Sequence, residues 1–245
     1  MDIKIFRRMI RFKIVILALL PLLIFSGCSY FNKHEKTRVS PETLYSQAAA
    51  EYKDGNYKKA QEAFIRLKEE YPLHELAILA EVGIADSLYS NKEYAGAESA
   101  YSDFVSLHPT NENVPYALYQ LGMCHYNEIE DIDRDQTETI KAKKEWEKLV
   151  TRYPESKFSS MAQKLIRECK QKLAENEFYI GRFYLRQKKY KAALSRFEKI
   201  ARDYGNVGLD YKIEYYINET KIKIAEEDRL KKEAEKEKTK KSSNK

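Results

Sequence analysis

One short pattern recurs along this chain, and it limits the fold more than any other feature. Asp54-Gly55-Asn56-Tyr57-Lys58-Lys59-Ala60 is followed by Phe64 and then by Tyr71-Pro72. Asn91-Lys92-Glu93-Tyr94-Ala95-Gly96-Ala97 is followed by Tyr101 and then by His108-Pro109. Gln187-Lys188-Lys189-Tyr190-Lys191-Ala192-Ala193 is followed by Phe197 and then by Tyr204-Gly205. A stretched copy keeps only its second half, in Ala142, Trp146 and Tyr153-Pro154. The spacing has a physical reading. Gly or a polar residue ends one helix at a short turn, and the Tyr packs back onto that helix. The Ala, three residues on, must be small because two helices cross there. One turn further, the aromatic fills the space between copies, and Pro stops the second helix. Only eight glycines and six prolines interrupt the chain, and no stretch alternates with period two for long, so an all-α chain is expected.

A unit of this kind resembles the tetratricopeptide repeat, a helix–turn–helix of about 34 residues. The resemblance implies an all-α superhelix, with copies at 41–74, 78–111, 115–154 and 174–207. The third copy carries about eight extra residues relative to that unit, placed in 128–139. This insertion is acidic, with Glu128, Glu130, Asp131, Asp133 and Asp135 against Arg134, but it lacks the glycine and terminal Glu spacing of a calcium-binding loop. Ala162, Leu165, Ile166, Cys169 and Leu173 predict an extra amphipathic helix over 158–175 that can run on into copy four. Ile213, Tyr216, Ile217, Ile222 and Ile224 predict a capping helix over 211–229, which a solenoid needs to cover its last open face. The repeat domain is thus expected over 41–227. The Lys/Glu-rich tail, 228–245, reads as a fraying solvated helix or a charged, disordered segment, with contact to anionic lipid headgroups or an acidic partner as the sharper reading.

The N-terminus reads as a leader. Lys4, Arg7, Arg8, Arg11 and Lys13 precede an apolar run, 14–25, broken by Pro21. About 12 apolar residues fall short of the roughly 20 needed to span a bilayer, so a secretory signal peptide over 1–27 is expected. Phe25-Ser26-Gly27-Cys28 resembles a bacterial lipobox, with Phe25 where Leu is usual. That resemblance implies cleavage before Cys28 and lipid on its thiol and new amine. Residues 28–40 then form a lipidated tether, about 40 Å long at full stretch.

The whole-chain charge of +6 is set by the two ends. Leader and tail each carry +4, so the span between them is about −2, and a nucleic-acid partner loses its main support. There is no Gly-rich phosphate loop, nucleophile elbow or His/Glu zinc motif, and His34, His74, His108 and His125 are scattered. No enzyme activity, metal or cofactor is expected beyond the lipid on Cys28. Cys124 and Cys169 sit in helical patterns. An exported compartment permits a bridge between them, yet two cysteines on regular helices are more often small buried side chains.

In the tetratricopeptide register, the resemblance implies that positions 2, 5, 9, 12 and 13 of each first helix face the concave side. This places Tyr45, Tyr52, Tyr89, Tyr116, Tyr119, Met123 and Tyr126 in one groove, with Asp86 among them. Tyrosine offers wide contact area with a polar tip, which suits extended peptides of varied sequence, while any single one of these tyrosines fits packing between helices as well.

Particular runs carry a closer resemblance. Leu44-Tyr45 with Asp54-Gly55-Asn56-Tyr57, Leu107-His108-Pro109-Thr110 with Asn113-Val114 and Tyr116-Ala117, Asp133-Arg134-Asp135, Val150-Thr151-Arg152-Tyr153-Pro154-Glu155-Ser156, and Arg202-Asp203-Tyr204 follow one another after the lipobox. In this order the chain resembles the BamD family, the lipoprotein component of the outer-membrane β-barrel assembly machinery. It departs from that family in Tyr71-Pro72-Leu73-His74, in Gly205 where Pro is usual, and in a shorter insertion. The resemblance implies a lipid-anchored protein of the outer membrane, facing the periplasm. Its N-terminal copies would receive unfolded outer-membrane proteins. Its C-terminal copies would dock on the barrel-forming subunit, through Arg202, among the machinery's other lipoproteins. Another tetratricopeptide lipoprotein, serving as adaptor for cell-envelope enzymes or pilus assembly, is the alternative.

Overall fold

The structure is a computed structural model that describes residues 38–243. The leader, Cys28 and most of the tether lie outside the described residues. Among those described there are nine helices and no strand: α1 (Pro41–Lys53), α2 (Tyr57–Glu70), α3 (Glu75–Ser90), α4 (Tyr94–Leu107), α5 (Val114–Tyr126), α6 (Thr137–Arg152), α7 (Lys157–Arg186), α8 (Tyr190–Asp203) and α9 (Asp210–Ser243). Each helix packs on its successor, and α1 also meets α3, as α5 meets α7. That pattern, neighbour on neighbour plus first helix on first helix, is the stacking of a tetratricopeptide superhelix.

The repeated residues do what their spacing demands. Ala60, Ala97, Ala142 and Ala193 have no exposed surface, and Phe64, Tyr101, Trp146 and Phe197 are buried one turn on. Trp146 and Phe197 explain two glycines. A Cβ on Gly122 would come within 2.2 Å of the Trp146 indole, and one on Gly181 within 2.5 Å of the Phe197 ring. The helices cross so closely only because those side chains are missing.

Three helix–helix turns share one geometry. Gly55, Lys92 and Lys188 all lie in the left-handed region, at φ 79°, 63° and 57°. The N–H groups after α1 close a Schellman-type end: Gly55 donates to the Tyr52 carbonyl at 3.0 Å and Asn56 to that of Glu51 at 2.9 Å. Lys92 and Glu93, and likewise Lys188 and Lys189, repeat both bonds. The ring of Tyr57 then meets Tyr52 edge-on at 5.4 Å, and Tyr94 meets Tyr89 at 5.5 Å.

The third copy replaces this turn with the acidic insertion, and the insertion is fastened. Buried Gln136 donates to the carbonyls of Asp131 and Arg134 and accepts from the Thr139 hydroxyl, while Asn176 of α7 donates to the Ile132 carbonyl at 2.7 Å. The helix expected over 158–175 and the first helix of copy four are one 30-residue helix, α7. Ser156 caps its start by accepting from the Phe158 N–H at 3.2 Å.

The end of the chain departs from the disordered reading. The tail is not disordered beyond residue 227, because α9 continues unbroken to Ser243. Its first turns pack on α8 through buried Ile213 and partly buried Tyr216 and Ile217. Residues 229–240 are exposed. They stay helical because Lys, Glu and Ala are strong helix formers and because Lys231 pairs with Glu227, and Arg229 with Glu233, one turn apart.

Candidate peptide-binding groove

The first helices of copies one to three, α1, α3 and α5, place one face of each around a concavity of about 530 Å³. Tyr45, Ala49 and Tyr52 come from α1, Leu79, Val82, Gly83 and Asp86 from α3, and Tyr116 from α5. Phe64 of α2 closes the floor, with its ring edge-on to Tyr45 at 5.7 Å. The far wall is Phe158 with Lys157, from the first turn of α7. The Lys157 ammonium sits 4.9 Å from the centre of the Phe158 ring, a cation–π contact at the rim.

The predicted groove residues divide into two sets. Tyr45, Tyr52 and Tyr116 line the concavity. Tyr89, Tyr119, Met123 and Tyr126 do not; they lie partly buried against the core of copies two and three. Tyr119 and Tyr126 flank Trp146, at 6.4 and 5.5 Å between ring centres. The Tyr126 hydroxyl donates to Glu168 at 2.9 Å, and burial with this carboxylate pushes its pKa up to about 12. The Tyr89 hydroxyl accepts from Asn127 at 2.8 Å. The convergence expected of seven side chains is therefore narrower. Phe158 links the two sets, meeting Tyr116 at 5.4 Å and Tyr119 at 5.7 Å.

Asp86 organises the concavity. Its Oδ1 accepts from the hydroxyls of both Tyr101, on α4, and Tyr116, the latter at 2.7 Å. Gln120 donates in turn to the Tyr116 oxygen at 2.9 Å. Burial raises the Asp86 pKa, and the two phenol donors oppose that rise. Burial and the Asp86 charge push Tyr101 and Tyr116 well above the usual phenol range, so both remain donors. A larger hollow, about 700 Å³, runs between α4 and α6 over Leu118 and Leu121. It has no aromatic wall, and its rim is occupied by pairs such as Lys148 with Glu145.

The other predicted positions lie elsewhere. Arg202 is in the last turn of α8, exposed, and holds the neighbouring Asp203 through Nε at 2.8 Å and Nη2 at 3.2 Å. Cys124 and Cys169 are free and buried. Their charged neighbours differ, Glu98 and Glu128 for the first and Glu168, Lys143 and Lys172 for the second, and burial pushes each thiol up to about 12. His125 is also buried, between Glu98 and Glu138. Among the described residues no group of three or more His, Cys, Asp or Glu side chains is placed to hold a metal, and no helix is long and apolar enough to cross a membrane.

The fold and the aromatic concavity define a tetratricopeptide-repeat protein with a built concave surface. A family model, YfiO, described as an outer membrane lipoprotein, matches residues 37–241. A protein of Rickettsia prowazekii named outer membrane protein assembly factor BamD is 33% identical over 183 residues, which span 74% of this chain and 72% of that one. The protein of that name from Caulobacter vibrioides is 31% identical over 159 residues, 65% of this chain and 52% of that one. The chain belongs to this BamD family of outer membrane lipoproteins. Among solved structures, the yeast Sti1 TPR2AB domain in its pHSP90 complex aligns with a TM-score of 0.44 at 15% identity, over 75% of this chain and 70% of that one. That likeness is too loose to add to the geometry.

Proposed function

We propose that this protein is an assembly factor for outer membrane proteins, held at the outer membrane by lipid on Cys28 and facing the periplasm. Its concave groove receives an extended segment of an unfolded barrel protein. Its C-terminal copies dock on the barrel-forming subunit. It acts as a scaffold, without catalysis or cofactor. The observation that carries the reading is the aromatic concavity shared by α1, α3 and α5, in a chain whose relatives are named for outer membrane protein assembly. Rings on four helices, Tyr45 and Tyr52 on α1, Phe64 on α2, Tyr116 on α5 and Phe158 on α7, can take alternate side chains of an extended strand, and tyrosine does so at little entropic cost.

The test is a titration of a labelled peptide from the C-terminal strand of a barrel protein. Tyr45→Ala and Tyr52→Ala should each weaken binding by about tenfold, the usual effect of removing an aromatic anchor, with the helical circular-dichroism signal unchanged. Tyr126→Ala, which undercuts Trp146, should lower the melting temperature instead. Unchanged affinity in both groove variants would refute the groove. For docking, Arg202→Glu should abolish co-purification of the barrel-forming subunit, since it places two like charges where Arg202 now offsets Asp203. Intact co-purification would refute the choice of Arg202.

A further inference from the structure

The hydrogen bonds of Asp86 leave one of its oxygens without a task. Both phenol donors, Tyr101 and Tyr116, land on Oδ1. Oδ2 accepts nothing from the protein among the described residues. There, no fully buried side-chain oxygen is left without a partner, so Oδ2 keeps some exposure, and Asp86 lines the concavity. On α1, the Tyr52 hydroxyl shares its hydrogen bond with the Ser90 hydroxyl at 2.8 Å and not with Asp86. Tyr45, Phe64, Leu79 and Val82 supply ring and aliphatic surface beside Asp86, while Glu112, Asn113 and Lys157 complete the lining with polar and charged groups. Among these apolar walls Asp86 is the half-buried carboxylate held by two phenol donors, whereas the second carboxylate of the lining, Glu112, is exposed. A purely apolar guest would strip water from Oδ2 and return nothing, which is costly for a carboxylate in such surroundings.

We propose that Asp86 is a specificity residue: the groove selects a peptide side chain with an aromatic body and a hydrogen-bond donor at its tip, tyrosine or tryptophan, over phenylalanine. The body stacks on the ring walls, and the hydroxyl or indole N–H donates to Oδ2. The two tyrosines hold the carboxylate's orientation, so the acceptor is fixed before the guest arrives. A site built to accept a donor discriminates against the analogue that lacks it more strongly than an apolar pocket discriminates by size.

The inference rests on the groove reading above and is tested apart from it. Two short fluorescein-labelled peptides of alternating apolar and polar residues are titrated, identical except that one carries a single tyrosine where the other carries phenylalanine. The wild-type protein should bind the tyrosine peptide about tenfold more tightly, the order expected for a hydrogen bond to a charged group. Asp86→Asn, which can keep its carbonyl on Tyr101 and Tyr116 and turn its amide into the concavity, replaces the acceptor with a donor. It should lose that preference while its helical signal is retained. Equal binding of the two peptides by wild type overturns the proposal and leaves the groove standing, and it does so whether or not the variant folds. A preference unchanged in Asp86→Asn overturns the role of Asp86. If neither peptide binds wild type, the groove reading and this inference fall together.

Discussion

At the scale of single residues, burial governs the chemistry of this protein. The thiols of Cys124 and Cys169 are pushed up to about 12 by desolvation, so the reactive thiolate is scarce at any physiological pH. Maleimide at pH 8 should therefore leave both unlabelled in the native protein and label both in denaturant; rapid native labelling would contradict this burial. Asp86 makes a pH prediction of opposite sense to the usual acid. Its folded pKa lies above the ordinary carboxylate value, so between the two values the folded state binds the proton and the unfolded state has released it. Stability is then highest below the unfolded pKa and is lost as pH rises through the folded one. The melting-temperature gap between wild type and Asp86→Asn should shift toward wild type as pH falls into the acid range, and a gap independent of pH would count against it. Asp86 also marks where sequence reading stops. Its place on the concave face follows from the repeat register, but its bonds to Tyr101 and Tyr116 join three helices and leave no trace in local spacing.

At the scale of helices and turns, the repeat was readable because it is periodic. Ala–aromatic pairs four residues apart report a close crossing whatever their wider context, and all four pairs are buried. Phe158 and Lys157 were not readable as groove residues. They open α7, which lies outside the repeat register, and only the stacking of α7 beside α5 brings them to Tyr116. The tail could be read either as a solvated helix or as disordered, since low hydrophobicity leaves no apolar period in a helix held by propensity and one-turn ion pairs alone. Truncation after residue 227 should leave the melting temperature of the domain unchanged and reduce the helical signal in proportion; an unchanged helical signal would contradict the helix. The turns allow a stabilising prediction. Lys92 and Lys188 sit where Gly55 sits in the first copy. Lys92→Gly and Lys188→Gly should each add about 0.5–1 kcal/mol by relieving left-handed strain net of glycine's entropy. Gly122→Ala, which drives a methyl into Trp146, should cost about 1–3 kcal/mol. Chemical denaturation checks all three.

At the scale of the whole molecule, the described repeats are built on two cores. One core joins copies two and three through Tyr101, Phe104 and Trp146. Another joins α7, α8 and α9 through Phe178, Phe197 and Ile213. The 30-residue α7 belongs to both, about 45 Å of continuous helix. The groove is built on the first three copies, and Arg202 belongs to the other core's second helix. Under the proposed function, an unfolded strand and a folded partner would thus use separate surfaces. The central claim is that the concave face, and not the outer hollow over Leu118 and Leu121, receives unfolded barrel proteins. The most direct test places a photocrosslinking amino acid in living cells at Tyr45 or Tyr52, and separately at Ser106 on the rim of the outer hollow. Adducts with newly made barrel proteins from positions 45 and 52, and none from 106, are predicted; adducts from 106 alone, or equally from all three, would contradict the account.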